Sequence, residues 1–255
     1  MNLQPQPFKK HSQAFPRPRN KKATQMITTT PQQIRTTEKD GITVFTIPEN
    51  LQCPETLVLP LNPGNIKVEY EPNAHCDILY FYPGNTNVQQ KIHIHFKGNG
   101  SNGRILGILS AKNNDTFRSE MTIHHEGKAT STNVLIKGIA QQNAKITISG
   151  LIRIEQGAKN TDTFFRGDIL LLSPDAKAVI IPSLEIIENE VKGGHAATVS
   201  KLNPDQLFYL QTRGISPEEG KKLLIEGFLK TALQEITNSE QREYYENIVQ
   251  TELLV

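Results

Sequence analysis

Residues 91–96 have the sequence Lys-Ile-His-Ile-His-Phe, in which polar and apolar side chains alternate strictly. This period of two is typical of a strand that buries one face and leaves the other in solvent. Residues 66–70, Ile-Lys-Val-Glu-Tyr, alternate in the same way. Working outward, comparable runs rich in β-branched residues fill residues 41–187, at 42–47, 104–109, 120–124, 133–139, 145–154, 168–172 and 177–181. The pattern predicts a mainly β fold.

Polar and glycine-containing stretches separate these runs, including Pro83-Gly84-Asn85 and Gly98-Asn99-Gly100. Such residues favour tight turns. Many short strands at even spacing are compatible with a sandwich, a barrel or a solenoid. The repeated strand–turn–strand rhythm slightly favours a solenoid, in which each coil buries its face only against its neighbours.

The two ends of the chain differ from this β region, which we assign to residues 37–200. Residues 1–36 contain basic residues and prolines but no acidic residue. This composition predicts a disordered, solvated tail, with a basic arm for a nucleic acid or an acidic protein face as the alternative. Residues 201–255 show helical patterns instead, and we assign them to a helical segment.

Three helices are predicted in this segment. The stretch Asn203-Pro204-Asp205-Gln206 begins the first, with a cap, a proline in the first turn and a glutamine at the capping-box position. Gly214 ends it. The stretch Ser216-Pro217-Glu218-Glu219 begins the second, and residues 239–254 form the third. The second helix has its predicted apolar face at Leu223, Leu224, Gly227, Phe228, Ala232 and Leu233.

The composition argues against several classes of protein. A net charge of +2 is too small to indicate a nucleic-acid partner. No motif for binding nucleotides or for nucleophilic or zinc-dependent hydrolysis is present. Cys53 and Cys76 form neither a CxxC pair nor a disulfide framework. Residues 1–10 lack the apolar core of a signal peptide, and no apolar run approaches the roughly 20 residues that span a bilayer. We therefore expect a cytoplasmic protein, not bound to membranes, that is not an enzyme.

Histidines are the remaining candidates for chemistry. His93 and His95 share one face of a strand and can hold a metal only with a third ligand, which the sequence does not identify. His124 and His125 are adjacent, point to opposite faces and are interpreted as polar residues at a strand end. His195 lies between the last predicted strand and the first helix. A loop histidine there can serve as a metal ligand or proton carrier, or can be purely structural.

Four blocks in the second half of the chain resemble the core signature of the SufB/SufD family of iron–sulfur cluster assembly proteins. They are residues 182–186 (Pro-Ser-Leu-Glu-Ile), 191–198 (Val-Lys-Gly-Gly-His-Ala-Ala-Thr), 205–215 (Asp-Gln-Leu-Phe-Tyr-Leu-Gln-Thr-Arg-Gly-Ile) and 226–228 (Glu-Gly-Phe). The resemblance implies a right-handed parallel β-helix followed by a helical segment. It also implies a SufC-type ATPase bound to the helices, and pairing with a SufB/SufD-type paralogue or with a second copy.

The resemblance also implies roles for individual residues. His195 matches a family histidine implicated in cluster formation at the dimer interface. Family cysteines would fall at Gly193 and Gly167, so thiolate ligands are missing, which favours a shortened, SufD-like partner subunit or a diverged paralogue. The sequence Ser200-Lys201-Leu202 is closer to the SufB branch, so the branch stays open. The implied cofactor is a transient iron–sulfur cluster shared with a partner subunit. The candidates for ATPase docking are Phe208, Tyr209, Arg213, Gly214 and Phe228.

Three hypotheses follow from the sequence. The leading one is a non-catalytic β-helix scaffold of a SUF iron–sulfur cluster assembly complex. The alternative is a free-standing β-solenoid that binds a polyanion or a carbohydrate. The third is a metal-dependent enzyme that uses His93 and His95.

Overall fold

The structure, a computed structural model, describes residue 31, residues 33–61 and residues 64–253. Within these residues the chain passes alternately through two sheets, and each pair of strands forms one coil of a parallel β-solenoid of about five turns. The prediction of a mainly β solenoid is therefore confirmed. Most of the predicted basic tail lies outside the described residues, although Arg35 and Thr36 at its end belong to the first strand.

The two sheets are called sheet A and sheet B, and their strands are numbered in chain order. Sheet A contains β1 (Arg35–Lys39), β2 (Ile42–Ile47), β4 (Gly64–Tyr70), β6 (Val88–Phe96), β8 (Thr116–His125), β10 (Lys145–Ile154) and β12 (Lys177–Ile186). Sheet B contains β3 (Leu57–Val58), β5 (Ile78–Tyr82), β7 (Asn102–Ala111), β9 (Ser131–Ala140), β11 (Asp162–Leu171) and β13 (Lys192–Lys201). Strands β1 and β2 form an antiparallel hairpin, whereas the other pairs are parallel.

Apolar side chains from the two sheets meet inside the solenoid and stack from coil to coil. In-register pairing aligns Ile94, Ile123 and Ile152 in one such column, at a spacing of 29 residues. All three are completely buried. Because paired residues of neighbouring strands point to the same face, one alternating pattern repeated at this spacing builds a continuous core.

The turns of neighbouring coils also stack, and two of them require glycine. A Cβ atom at Gly98 would overlap the backbone of Pro72, and one at Gly127 would overlap the backbone of Gly98. These turns were predicted as polar breaks between strands, and their glycines permit the close backbone approach of one coil to the next.

The C-terminal segment forms α1 (Pro204–Thr212), α2 (Pro217–Leu233) and α3 (Ser239–Ile248), followed by a π-helical turn (Val249–Leu253). Asn203 caps α1 through its side chain, Ser216 and Glu219 form a capping box on α2, and Gly214 adopts a φ of +84° after α1. The capping box predicted with Gln206 does not form, because the Asn203 side chain binds the amide of Asp205 instead. None of the helices in the described part of the chain is long and apolar enough to cross a bilayer.

Helices α2 and α3 pack on the outer face of sheet B. The apolar residues that meet there include Leu229, Ala232, Leu233, Ile236, Tyr245 and Val249 from the helical segment and Leu79, Phe81, Leu106, Ile108, Ile139 and Leu170 from the strands. The predicted apolar face of α2 is wrong at Leu223, which is 48% exposed. Gly227 is also exposed, whereas Leu229, which was not predicted, is completely buried against the sheet.

Buried and half-buried polar contacts also fasten the helical segment to the early coils. Arg104 on β7 binds both Asp77 and Glu235, and its Nη1 lies 2.8 Å from Glu235 Oε2. The side chain of Gln241 accepts from the Thr56 amide at 2.9 Å and donates to the Thr56 carbonyl at 3.1 Å. The segment therefore starts at the last strand and returns to the first coil of sheet B.

We expect Leu229→Ala to lower the free energy of unfolding by about 2–4 kcal/mol, because it leaves a cavity between α2 and sheet B. Leu223→Ala on the same helix serves as the control and should change the unfolding free energy by about 0.5 kcal/mol or less, since Leu223 is exposed. Urea unfolding followed by circular dichroism measures both. Equal losses in the two variants would show that α2 does not pack on sheet B through Leu229.

Candidate functional site

The last coil of the solenoid, formed by β12 and β13, has no further coil stacked on it within the described residues. We call this the open end. Both strands have a free edge, and their side chains are only partly buried or exposed. The large apolar residues exposed on or beside this coil are Phe164, Val179, Ile181, Ile186, Ile187 and Val199. An apolar patch next to free strand edges is typical of an interaction surface.

His195 lies at this open end, in strand β13, and not in a loop as predicted from the sequence. Its position ends an inward-facing column of sheet B. The in-register members of the column are Leu57, Ile78, Ile105, Val134, Phe165 and His195. His195 therefore occupies the position at which the next coil would contact the apolar interior, and it is exposed because that coil is absent.

Gly167 and Gly193, the two positions at which the resemblance implies family cysteines, face the same interior. Gly167 lies two residues after Phe165 and Gly193 lies two residues before His195, so both face the same side of sheet B as the column. A Cβ atom at Gly193 would lie 2.9 Å from Ile186 Cδ1, and one at Gly167 would lie 3.2 Å from Ile180 Cγ2. The structure thus places the three positions on one face of sheet B, but only His195 provides a ligand atom.

Behind this site, Asp168 is buried on the outer face of sheet B with Lys137 and Arg166. Asp168 Oδ2 lies 2.7 Å from Lys137 Nζ and 2.9 Å from Arg166 Nε. Burial alone would raise the pKa of Asp168, but hydrogen bonds and charges from the two cations outweigh it and lower the pKa. Lys137 also lies 4.6 Å from the ring centre of Phe228. Phe228 is therefore half-buried against the solenoid.

Helix α1 presents the other predicted docking residues to solvent. None of its residues is buried, and Phe208 and Tyr209 are 67% and 57% exposed. The Arg213 guanidinium lies 5.3 Å from the Tyr209 ring centre, and Gly214 is exposed beside it. A surface cavity of about 360 Å³ adjoins Tyr209 and continues between α1 and α2. Exposed aromatic side chains of this kind are typical of protein-binding surfaces.

A third site lies on the outer face of sheet A. His93 and His95 share a face, as predicted, and the pairing of β6 with β8 places His124 directly beside His95. One ring nitrogen of each of the three histidines lies within 4.8 Å of the others. The sequence interpretation missed the third ligand because it lies 29 residues after His95. The signal that could have found it is the coil spacing, which also separates Ile94 from Ile123.

His125 points to the opposite side, as predicted, and is completely buried in the core. Its ring stacks on Phe96 with centres 4.8 Å apart, and its Nδ1 lies 2.9 Å from the Thr130 hydroxyl. Burial, followed by the charges of His124 and His95, lowers the pKa of His125 to about 3. The native protein therefore holds this imidazole neutral.

The two cysteines are also neighbours, which the sequence did not indicate. Both are buried free thiols. A hydrogen bond with Cys76 lowers the pKa of Cys53 to about 7 against the opposing effect of burial, whereas the same contact and burial raise the pKa of Cys76. They lie on the first coils of sheet B, at the opposite end from β13 and His195.

These features define a parallel β-solenoid protein with a helical C-terminal segment and an uncovered last coil. Residues 61–228 match the family model described as the SufBD core domain of SUF system FeS cluster assembly. The chain belongs to this family. The alternative of a free-standing polyanion-binding module relied on the basic tail, most of which lies outside the described residues.

Several curated proteins are similar to the chain. It is 34% identical over 139 residues to the iron–sulfur cluster assembly protein SufD of Bacillus subtilis, which covers 54% of this chain and 32% of the relative. It is 30% identical over 176 residues to a SufBD family protein of Mycobacterium leprae, covering 66% of this chain and 45% of the relative. The chain thus spans less than half the length of these relatives.

The low pKa of His125 predicts acid sensitivity of the fold. Unfolded His125 binds a proton below about pH 6.5, whereas the native residue stays neutral until about pH 3. Its contribution to stability is therefore complete above pH 6.5 and is lost as the pH falls toward 3. Between pH 7 and pH 4.5 we expect it to remove about 2–3 kcal/mol of unfolding free energy.

His125→Phe keeps the ring stack on Phe96 but cannot titrate, so its loss of stability between these pH values should be smaller than that of the wild type. Urea unfolding at the two pH values measures the difference. His195→Gln, which changes an exposed histidine, should retain the wild-type loss. An identical pH dependence in His125→Phe and the wild type would contradict the interpretation.

Proposed function

We propose that this chain is a non-catalytic β-solenoid subunit of an iron–sulfur cluster assembly complex. It pairs through its open end with a second solenoid of the SufB/SufD type and binds a SufC-type ATPase through helix α1. The observation that carries the proposal is the apolar column of sheet B that ends in His195 at an uncovered coil. The proposal places the complex in the cytoplasm, where reducing conditions keep Cys53 and Cys76 as thiols.

Pairing at the open end is supported by the free strand edges and the exposed apolar side chains of the last coil. Strands β12 and β13 offer free backbone donors and acceptors at their edges, and the exposed Ile181 and Val199 lie on these strands. A second solenoid that stacks here continues both sheets and covers these side chains. At the other end of sheet A, the hairpin β1–β2 with exposed polar residues already occupies the edge.

The cluster itself is cargo in this proposal, and the residues of this chain do not form a complete site for it. Iron–sulfur clusters are usually held by cysteine thiolates. At the open end, Gly167 and Gly193 provide no side-chain ligand, and His195 provides one imidazole. We therefore assign His195 as a single ligand at the junction, with thiolates supplied by the partner subunit.

Docking of the ATPase is supported by the exposure of α1. Phe208 and Tyr209 have no apolar partner that buries them, while Phe228 is engaged by Lys137 on the solenoid. We therefore restrict the docking surface to Phe208, Tyr209, Arg213 and Gly214. The sequence contains no nucleotide-binding motif, which agrees with a complex in which the ATPase binds and hydrolyses the nucleotide.

Replacing both Phe208 and Tyr209 by alanine should weaken binding of a SufC-type ATPase by at least about 30-fold, because two central aromatic contacts are lost. The fold should be unaffected, since neither side chain is buried. Titration calorimetry with the purified ATPase measures the change. Phe164→Ala removes an exposed aromatic from β11 instead and should bind like the wild type. Wild-type affinity of the double variant would refute docking through α1.

His195→Ala should lower the iron and sulfide retained by the reconstituted complex at least about fivefold, because one ligand at the junction is lost. Pairing with the second subunit, measured by gel filtration with light scattering, should persist. Thr198→Ala, on the same strand but the opposite face, is the matched control. A complex with His195→Ala that retains a full complement of iron and sulfide would return His195 to a structural role.

A further inference from the structure

The three-histidine cluster of sheet A lies away from both surfaces used in the proposed function. His93 and His95 are two residues apart on β6, and His124 is the in-register neighbour of His95 on β8. The rings of His95 and His124 are stacked with centres 4.5 Å apart, and the His93 ring stands edge-on to both at 5.8 and 5.9 Å. Three imidazole rings from two neighbouring strands therefore lie close together.

Carboxylates orient two of these rings. His95 Nε2 lies 2.8 Å from Glu126 Oε2, and His124 Nε2 lies 2.9 Å from Glu155 Oε1. A carboxylate at Nε2 fixes the proton on that nitrogen, so Nδ1 of each ring keeps a free lone pair. This carboxylate–histidine arrangement is the one that orients histidine ligands in metalloproteins.

The rings are sheltered, and their environment favours the uncharged form. The side chains of His95 and His124 are only 12% and 19% exposed. Burial, followed by the charges of His95 and His124, lowers the pKa of His93 to about 4. Burial and the charge of His124 also lower the pKa of His95, although the hydrogen bond that His95 donates to Glu126 raises it. Neutral imidazole is the form that binds a metal ion.

We propose that His93, His95 and His124 bind one divalent transition-metal ion of the zinc class on the outer face of sheet A. Imidazole nitrogens suit zinc, and three of them leave a fourth tetrahedral position for water. Ligand atoms of a tetrahedral zinc ion lie about 3.3 Å apart, so the ring nitrogens approach one another by up to about 1.5 Å on binding, through rotation about their side-chain bonds.

The charges around the cluster are compatible with a cation. Lys67 is the in-register neighbour of His93 and opposes a cation, but its ammonium lies 2.6 Å from Glu69 Oε1. Arg153, the in-register neighbour of His124, is likewise paired, with its Nε 2.6 Å from Glu155 Oε1. Glu126 adds a further carboxylate beside His95. Stacking of polar surface residues from neighbouring coils is enough to explain why His95 and His124 are adjacent. It does not account for His93, whose ring forms no hydrogen bond with the other described residues.

The test is titration of the untagged, metal-free full chain with Zn²⁺ by calorimetry. We expect one high-affinity ion per chain, with a Kd of about 10 µM or below. His93→Gln, His95→Gln and His124→Gln should each weaken binding at least about tenfold. His75→Gln is the matched control and should bind like the wild type, because His75 lies outside the cluster and its Nδ1 lies 2.6 Å from Asn102 Oδ1. Titration with Co²⁺ should give the intense visible bands of four-coordinate cobalt in the wild type and not in the triple variant.

Two outcomes would overturn the proposal. One is a wild-type chain that takes up no Zn²⁺ with this affinity. The other is a triple variant, His93→Gln/His95→Gln/His124→Gln, that binds as tightly as the wild type. Circular dichroism of each metal-free variant checks its fold. If a histidine variant misfolds, Glu126→Gln/Glu155→Gln replaces it and should weaken Zn²⁺ binding about tenfold or more.

Discussion

The inward face of a coil is fully buried only when a further coil stacks on each side of it, and this requirement shapes the solenoid. Ile94, Ile123 and Ile152 satisfy one another because register places them in one column. A coil at an end lacks one neighbour, so another element must cover its free side. At the start of sheet A, β1 covers the edge of β2 by pairing with it in an antiparallel hairpin. At the other end the column of sheet B stops at His195, and in our proposal a second solenoid covers this end.

The two outer faces of the solenoid are used differently for the same reason. The outer face of sheet B has an apolar region, which includes Phe81 and Ile108, and α2 and α3 cover this region. The outer face of sheet A has no such cover from the helical segment and carries polar rows, including His95 and His124 in register. Stacking in register brings like positions of successive coils together, so a polar row becomes a cluster of similar side chains.

Local features of the fold could be predicted from the sequence, whereas long-range ones could not. Alternation in residues 91–96 predicted the strand, and Ser216 with Glu219 predicted the start of α2, because these signals depend on neighbouring residues. The contact of His95 with His124 depends on the length of a full coil. The choice of Leu229 over Leu223 depends on the shape of sheet B. His195 was placed in a loop because the glycines before it mask a strand whose pairing partner is 30 residues away.

The return of the helical segment to the first coil has a consequence for how the protein unfolds. A solenoid with contacts only between adjacent coils can lose its end coils one at a time. Here α2 packs on β7 and β9, the middle strands of sheet B. Gln241 then fastens the segment to Thr56 in the first coil. The helices thus connect the last strand to the first coil of sheet B, so the end coils unfold together with the helical segment rather than one at a time.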